Sequence, residues 1–259
     1  MSWLSSYVKR HARRWRQSAE HRFPAGECVR RLCEVQSRES IRTIFDVGCN
    51  QGQTIRLLRP LFPLAVIHAF EPGEEAHAAA AALCRDDSRL FVRRMALGEA
   101  PGRLELRRYA GSVTDSLLPE GKDYRSSAPP EYWAQLPPQL VEVDTLDAYC
   151  AREGVDRIDL LKIDTQGFDD RVLRGGLAML RSGKVAAVKI ELIFVEQYRG
   201  QARFGDMLNL LEDCGFRLLA VADQSPPPPH IPDWGDAIFV HRDAISRASI
   251  REQGAASTG

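Results

Sequence analysis

The segment Thr43-Ile44-Phe45-Asp46-Val47-Gly48-Cys49-Asn50-Gln51-Gly52 constrains the fold of this chain more than any other. Its apolar run ends in an acid, passes through a turn of small residues and releases into a segment with helical character from Gln53 to Arg59. Such a turn keeps side chains out of the way and presents backbone amides to a ligand beyond the strand end. Ala65-Val66-Ile67-His68-Ala69-Phe70 reads as a second strand, with Glu71 at its carboxyl end. An acid there can accept hydrogen bonds from two ribose hydroxyls. NAD and S-adenosylmethionine sites share this device, so these two strands leave both cofactors open.

Alternating strand-like and helix-like segments through the centre predict a mainly parallel sheet with helices on both faces. Further strands are expected at Leu90–Leu97, Arg103–Tyr109, Leu140–Val143, Ile158–Asp164, Val185–Leu192, Phe216–Ala222 and Asp236–His241. Helices are expected at Glu74–Cys84, Leu146–Arg152, Phe168–Leu180 and Phe204–Cys214, the last stopped by Gly215. No separate second domain of the size that most hydride-transfer enzymes use is visible. Residues 110–139 are rich in Ser, Pro and Gly and contain Tyr124, Tyr132 and Trp133. They read as an insertion covering a pocket, or as a variable surface loop.

The ends differ from the middle. Residues 1–40 read as a basic helical extension, 41–245 as the main domain and 246–259 as a tail. Lys9, Arg10, Arg13, Arg14, Arg16 and Arg22 oppose only Glu20 before position 23, and Leu4, Val8, His11 and Trp15 recur at helical spacing. That stripe suits packing on the body, a homodimer contact, or peripheral contact of residues 1–22 with an anionic membrane. Over the whole chain the charge is even: 35 basic residues balance 35 acidic ones, which gives no support for a nucleic-acid partner. The six cysteines have no paired zinc spacing and read as reduced, small hydrophobes. With no transmembrane-length or signal-peptide run, the expected location is cytoplasmic.

Acids close several strands: Asp46, Glu71 and Asp164, with Glu191 on a later one. Lys162/Asp164 and Lys189/Glu191 repeat a lysine–apolar–acid pattern, and the strand period of two puts each pair on one face. Charges on central strands imply either a structural ion-pair network or a polar pocket. No His, Asp or Glu spacing argues for a metal. His68 reads as a satisfied core residue, and His230 is a candidate for the pocket mouth.

The chain resembles the FkbM-type class I methyltransferases, which use S-adenosylmethionine. The resemblance rests on Phe45 to Gly52, Phe70-Glu71-Pro72, Val143-Asp144-Thr145-Leu146-Asp147, Leu161-Lys162-Ile163-Asp164-Thr165-Gln166-Gly167-Phe168 and Val172-Leu173-Arg174-Gly175-Gly176. Tyr198-Arg199-Gly200-Gln201 and Asp236 to Val240 continue it in the expected order. It implies an α/β Rossmann-like three-layer sandwich with a seven-stranded, mostly parallel sheet ordered 3-2-1-4-5-7-6 and an antiparallel last strand. It also implies methylation of a hydroxyl on a small-molecule or glycan-type acceptor. On that reading Asp46, Gly48, Asn50 and Gly52 surround the amino-acid part of the cofactor. Glu71 holds the ribose, and Met95 and Ala96 flank the adenine. Asp164 orients or deprotonates the acceptor, with Glu191 as the second candidate and Lys162 tuning either one.

One departure bears on that expectation. Where such proteins commonly carry an acid, in Asp-x-Glu-Gly, this chain has Gln166, an amide that can neither act as a carboxylate base nor bind a metal strongly. Two other readings stay open. A nicotinamide oxidoreductase would show Gly-x-Gly-x-x-Gly, whereas Asn50 lies between Gly48 and Gly52. A catalytically silent scaffold would have no need of Asp46, Glu71 and Asp164 together.

Overall fold

The computed structural model describes residues 26–124, 130–225 and 231–244. The expected basic helix within 1–22, the C-terminal tail, His230 and the run Pro226 to Pro229 lie outside these residues.

The described elements run α1 (Gly26–Val35), β1 (Thr43–Val47), α2 (Gln53–Leu61), β2 (Val66–Phe70), α3 (Glu74–Ala81), β3 (Leu90–Arg93), β4 (Ala96–Leu97) and β5 (Gly102–Tyr109). They continue with β6 (Gln135–Asp144), α4 (Leu146–Glu153), β7 (Leu160–Ile163), α5 (Asp169–Arg174) and α6 (Leu177–Arg181). Then come β8 (Ala187–Ile193), α7 (Phe204–Asp213), β9 (Phe216–Ser225) and β10 (Trp234–His241). Seven strands form one sheet ordered β3-β2-β1-β7-β8-β10-β9, and β10 runs antiparallel to both β8 and β9. This is the Rossmann-like topology implied by the resemblance, with helices on both faces.

Strand periodicity sorts the core. Phe45, Val47, Leu161, Ile163, Val188, Ile190 and Phe239 point to the face covered by α4 to α7. Ile44, Ile67, Leu160, Ala187 and Ile238 point to the face covered by α1 and α2. On that second face the apolar row gives way to charge near the strand ends. Asp46 stands beside Lys162, Lys162 beside Lys189, and Glu191 opposite Asp236. Lys162 pairs with Asp46 at 2.8 Å and Lys189 with Asp236 at 2.6 Å, so the buried charges are matched across strands. Lys189 therefore does not pair with its strand neighbour Glu191.

Three elements differ from expectation. The third strand, expected at Leu90–Leu97, divides: β3 joins the large sheet, while β4 turns away into a three-stranded sheet ordered β4-β6-β5. The helix expected at Phe168–Leu180 breaks at Gly175-Gly176. A Cβ on Gly175 would sit 1.9 Å from the Gly98 carbonyl oxygen, and one on Gly176 2.5 Å from the Leu146 side chain. The glycine pair exists for that close approach. Finally, β6 starts at Gln135, well before Leu140. Its Pro137 and Pro138 fall where the pairing with β5 skips between Leu106 and Arg108, a position that needs no amide donor.

Residues 110–124 and 130–134 carry a small core of their own. Tyr109, Leu118, Trp133, Phe168 and Tyr198 pack together. Gly121 donates to the Gln197 carbonyl, and a Cβ there would meet the Glu196 carbonyl at 2.1 Å. The segment is thus bound down along the loop after β8.

Candidate active site

Beyond the carboxyl ends of β1, β2, β7 and β8 lies one cavity of about 620 Å³, the location expected for ligands in open α/β sheets. The turn after β1 forms its floor. Gly48 has φ +76°, and a Cβ there would come within 1.9 Å of the Asp164 carbonyl oxygen, so only glycine fits where β1 and β7 release their chains together. Asn50 also adopts a left-handed conformation, with φ +47°.

Glu71 closes the turn from the side. Its carboxylate accepts from the Asn50 amide at 2.9 Å and from the Gly73 amide at 2.8 Å. A carboxylate offers about four lone-pair positions, so two backbone bonds leave capacity for two hydroxyl donors from the cavity. Burial raises the Glu71 carboxyl to about 7 despite those bonds. A buried, preoriented carboxylate beside a glycine turn fits the ribose of S-adenosylmethionine.

Lys162 sits beneath the turn, 3% exposed. Its ammonium reaches Asp46 at 2.8 Å, the Gly48 carbonyl at 2.9 Å and Asp164 at 3.6 Å. Burial pulls its pKa down, but the two carboxylates outweigh burial and hold it well above the ordinary lysine value. Lys162 is therefore a fixed cation that locks the β1 turn to β7 and faces Asp164.

Asp164 borders the cavity and is 40% exposed. Glu191 borders it as well; burial first, and the neighbouring Asp164 second, push its pKa well above the carboxylate range. Between them lies the Gln166 amide, 3.0 Å from Asp164 Oδ1 and 2.9 Å from Glu191 Oε2. Gln197 and Trp234 line the wall beyond.

The cofactor candidates divide. Gly48, Asn50, Glu71 and Ala96 line the cavity. Met95 does not; it packs against the core below α4 to α7, because the chain turns between β3 and β4. Asp46 is wholly buried under the turn, as the partner of Lys162. Gly52, with φ +80°, starts α2, and a Cβ there would strike Leu83 at 2.6 Å. Its glycine serves packing against the helix after β2. His68 is a core residue whose Nδ1 is 2.9 Å from the Tyr149 hydroxyl.

Sequence reasoning read residues 110–139 as an insertion over a pocket but singled out none of residues 112–117, which line one wall of it. Asp115 faces the cavity, held by the Tyr109 amide at 2.7 Å, and burial raises its carboxyl to about 7. Ser112 donates to the Asn50 side chain at 3.1 Å, joining this wall to the turn. Neither residue stands in a recognisable motif. Two residues of the Val143–Asp147 motif are structural instead. Thr145 caps α4, and Asp147 accepts from the amides of Ala178 and Met179 at the start of α6. Among the described residues no cluster of His, Cys, Asp and Glu is arranged to hold a metal ion.

The family described as the methyltransferase FkbM domain matches residues 46–218. The chain is 30% identical over 189 residues to the 2-O-methyltransferase NoeI of Sinorhizobium fredii, covering 68% of this chain and 73% of that protein. It is 28% identical over 210 residues to the 31-O-demethyl-FK506 methyltransferase FkbM of Streptomyces tacrolimicus, covering 71% and 75%. The crystal structure of methyltransferase FkbM from Methylobacillus flagellatus KT has the same fold, with a TM-score of 0.50 and 14% identity. That match covers 77% of this chain and 43% of the other. These matches set the oxidoreductase reading aside, and S-adenosylmethionine is the cofactor that the glycine turn and Glu71 accommodate. The chain belongs to the FkbM methyltransferase family.

Proposed function

We propose that the protein methylates a hydroxyl oxygen of a small-molecule or glycan-type acceptor in the cytoplasm. The observation that carries this reading is the position of Asp164. Its carboxylate borders the same cavity as the cofactor turn and Glu71 on one side and Glu191, Gln197 and Trp234 on the other. The names of the two curated relatives, both O-methyltransferases by name or position of the methylated group, support oxygen as the accepting atom. No described helix is long and apolar enough to cross a membrane, which agrees with action in an aqueous compartment.

When bound, S-adenosylmethionine supplies an electrophilic methyl group on a positively charged sulfur. The protein's part is placement and proton handling. The Gly48–Asn50 turn and Glu71 would hold the cofactor's amino-acid and ribose ends, in the same cavity that Asp164 borders. Holding an acceptor hydroxyl in line at contact distance supplies much of the acceleration. Bound there, the cofactor would give its methyl group to the acceptor oxygen and leave as the neutral thioether. The acceptor's hydroxyl proton passes to Asp164, which lies 3.6 Å from the Lys162 ammonium. Trp234 and Asp115 border the remaining space with indole and carboxyl groups suited to a polyhydroxylated ring.

The test is S-adenosylhomocysteine release from S-adenosylmethionine over a panel of methyl glycosides and hydroxylated macrocycles. Acceptor-dependent release should fall by about 100-fold or more in Asp164→Asn, the usual scale of general-base loss. Release that Asp164→Asn leaves unchanged would refute the role given to this residue.

A further inference from the structure

Every polar atom of the Gln166 side chain is engaged inside the protein. Its amide nitrogen lies 3.0 Å from Asp164 Oδ1 and 2.9 Å from Glu191 Oε2, so each N–H serves one carboxyl group. Its amide oxygen lies 2.8 Å from the Tyr198 hydroxyl and 3.4 Å from Gln197 Nε2. In this orientation the NH2 faces the carboxyl groups and the oxygen faces Tyr198 and Gln197, both able to donate to it. The backbone is pinned too. Gln166 adopts φ +53°, and its carbonyl accepts from the Ser116 hydroxyl at 2.7 Å. Tyr198 is fully buried, and its backbone amide donates to Gln201 at 2.8 Å.

We infer that Gln166 is a positioning residue, a neutral clamp that holds the Asp164 and Glu191 carboxyl groups at a fixed separation facing the acceptor end of the cavity. The inference rests on the reading of that cavity as a methyl-transfer site. Two carboxyl groups bridged by one NH2 have their bonded oxygens within about 6 Å of each other. Left alone, a pair so close would repel or share a proton, and each side chain would take its own rotamer. The amide supplies a donor to both without adding charge. A glutamate at 166 would offer acceptors to two acceptors, making a third carboxyl group beside two others. The clamp also links the cavity wall to residues 112–117, because the Tyr198 hydroxyl lies 3.0 Å from the Thr114 carbonyl and Ser116 holds the Gln166 backbone.

The readout is titration of individual carboxyl groups by 13C NMR in the full chain, with S-adenosylhomocysteine calorimetry alongside, in the wild type, Gln166→Met and Gln166→Glu. Gln166→Met keeps the length and removes the donors. Glu191 should then titrate higher still, because its ionised form loses a hydrogen bond. Glu71, which makes no bond to Gln166, should titrate as before. Gln166→Glu should raise Glu191 further and add another coupled titration. Both variants should keep S-adenosylhomocysteine affinity within about threefold, since the Gly48 turn and Glu71 are untouched. An unchanged Glu191 curve together with unchanged Asp164 and Glu191 carboxyl-carbon signals in both variants would overturn the clamp. An equal shift of Glu191 and Glu71, or loss of S-adenosylhomocysteine binding only in the variants, would overturn it in favour of a general structural role. Absence of S-adenosylhomocysteine binding in the wild type would refute the cofactor assignment alone, while the NMR arm still decides the clamp.

Discussion

With the ribose placed on Glu71 as proposed, cofactor binding should depend on pH with a definite size. In the free protein the Glu71 carboxyl is raised to about 7, chiefly by burial. Accepting two ribose hydroxyls requires the ionised form, so binding must draw a proton off whenever the pH lies near or below that value. For a group at about 7, the dissociation constant carries a factor of about 2 at pH 7 and about 11 at pH 6. S-adenosylhomocysteine affinity should therefore weaken about tenfold between pH 8 and pH 6. Calorimetry in buffers of different ionisation enthalpy should detect release of about half a proton per site at pH 7 and about 0.9 at pH 6. Glu71→Gln abolishes the titration and leaves one N–H of the variant amide pointing at the Asn50 or Gly73 amide. That costs about 1–3 kcal/mol for the unsatisfied donors, and affinity should drop and become flat with pH. The same carboxyl affects folding with a definite sign. Its folded value lies above its unfolded one, so its stabilising contribution is full below about 4.5 and is lost as pH rises through about 7. Glu71→Gln should remove that slope. A pH-independent affinity in the wild type, or an unaltered slope in Glu71→Gln, would refute the reasoning.

Two further perturbations test the frame around the cavity. Lys162→Met leaves Asp46 buried without its cation and should cost about 3–5 kcal/mol by chemical denaturation; adding Asp46→Asn should recover a large part of the loss. Gly48→Ala should abolish folding or cofactor binding, because its Cβ meets a carbonyl at 1.9 Å. Gly154→Ala, at φ +67° with open space around it, should cost only about 1–2 kcal/mol in thermal unfolding.

The large sheet was legible in the sequence because its strands are short apolar runs ending in acids or turn residues, the strongest local signal available. Glu71 and Gly48 stood out for the same reason: each sits where β1 or β2 ends, and chemistry at a strand end follows from topology. What escaped was set by distant contacts. The break between β3 and β4 follows from β4 pairing with Val143 and Asp144, some 47 residues on, and it carries Met95 into the core while Ala96 faces the cavity. The part played by Gln166 depends on Tyr198 and Gln197, brought to it by the loop after β8. Asp115 and Ser112 gain meaning only when residues 110–124 fold back over the turn. Gly52, which read as a ligand contact, answers instead to Leu83. Glycine spacing does not distinguish a residue that admits a ligand from one that admits a neighbouring side chain.

The most direct test of the central claim is transfer of a 13C-labelled methyl group from S-adenosylmethionine to an acceptor, with the product's methyl carbon read by NMR. The account predicts a methyl ether on a hydroxyl of the acceptor, formed by the wild type and lost in both Glu71→Ala and Asp164→Asn. A methyl group on nitrogen, carbon or sulfur, or an ether formed equally well by Asp164→Asn, would contradict it.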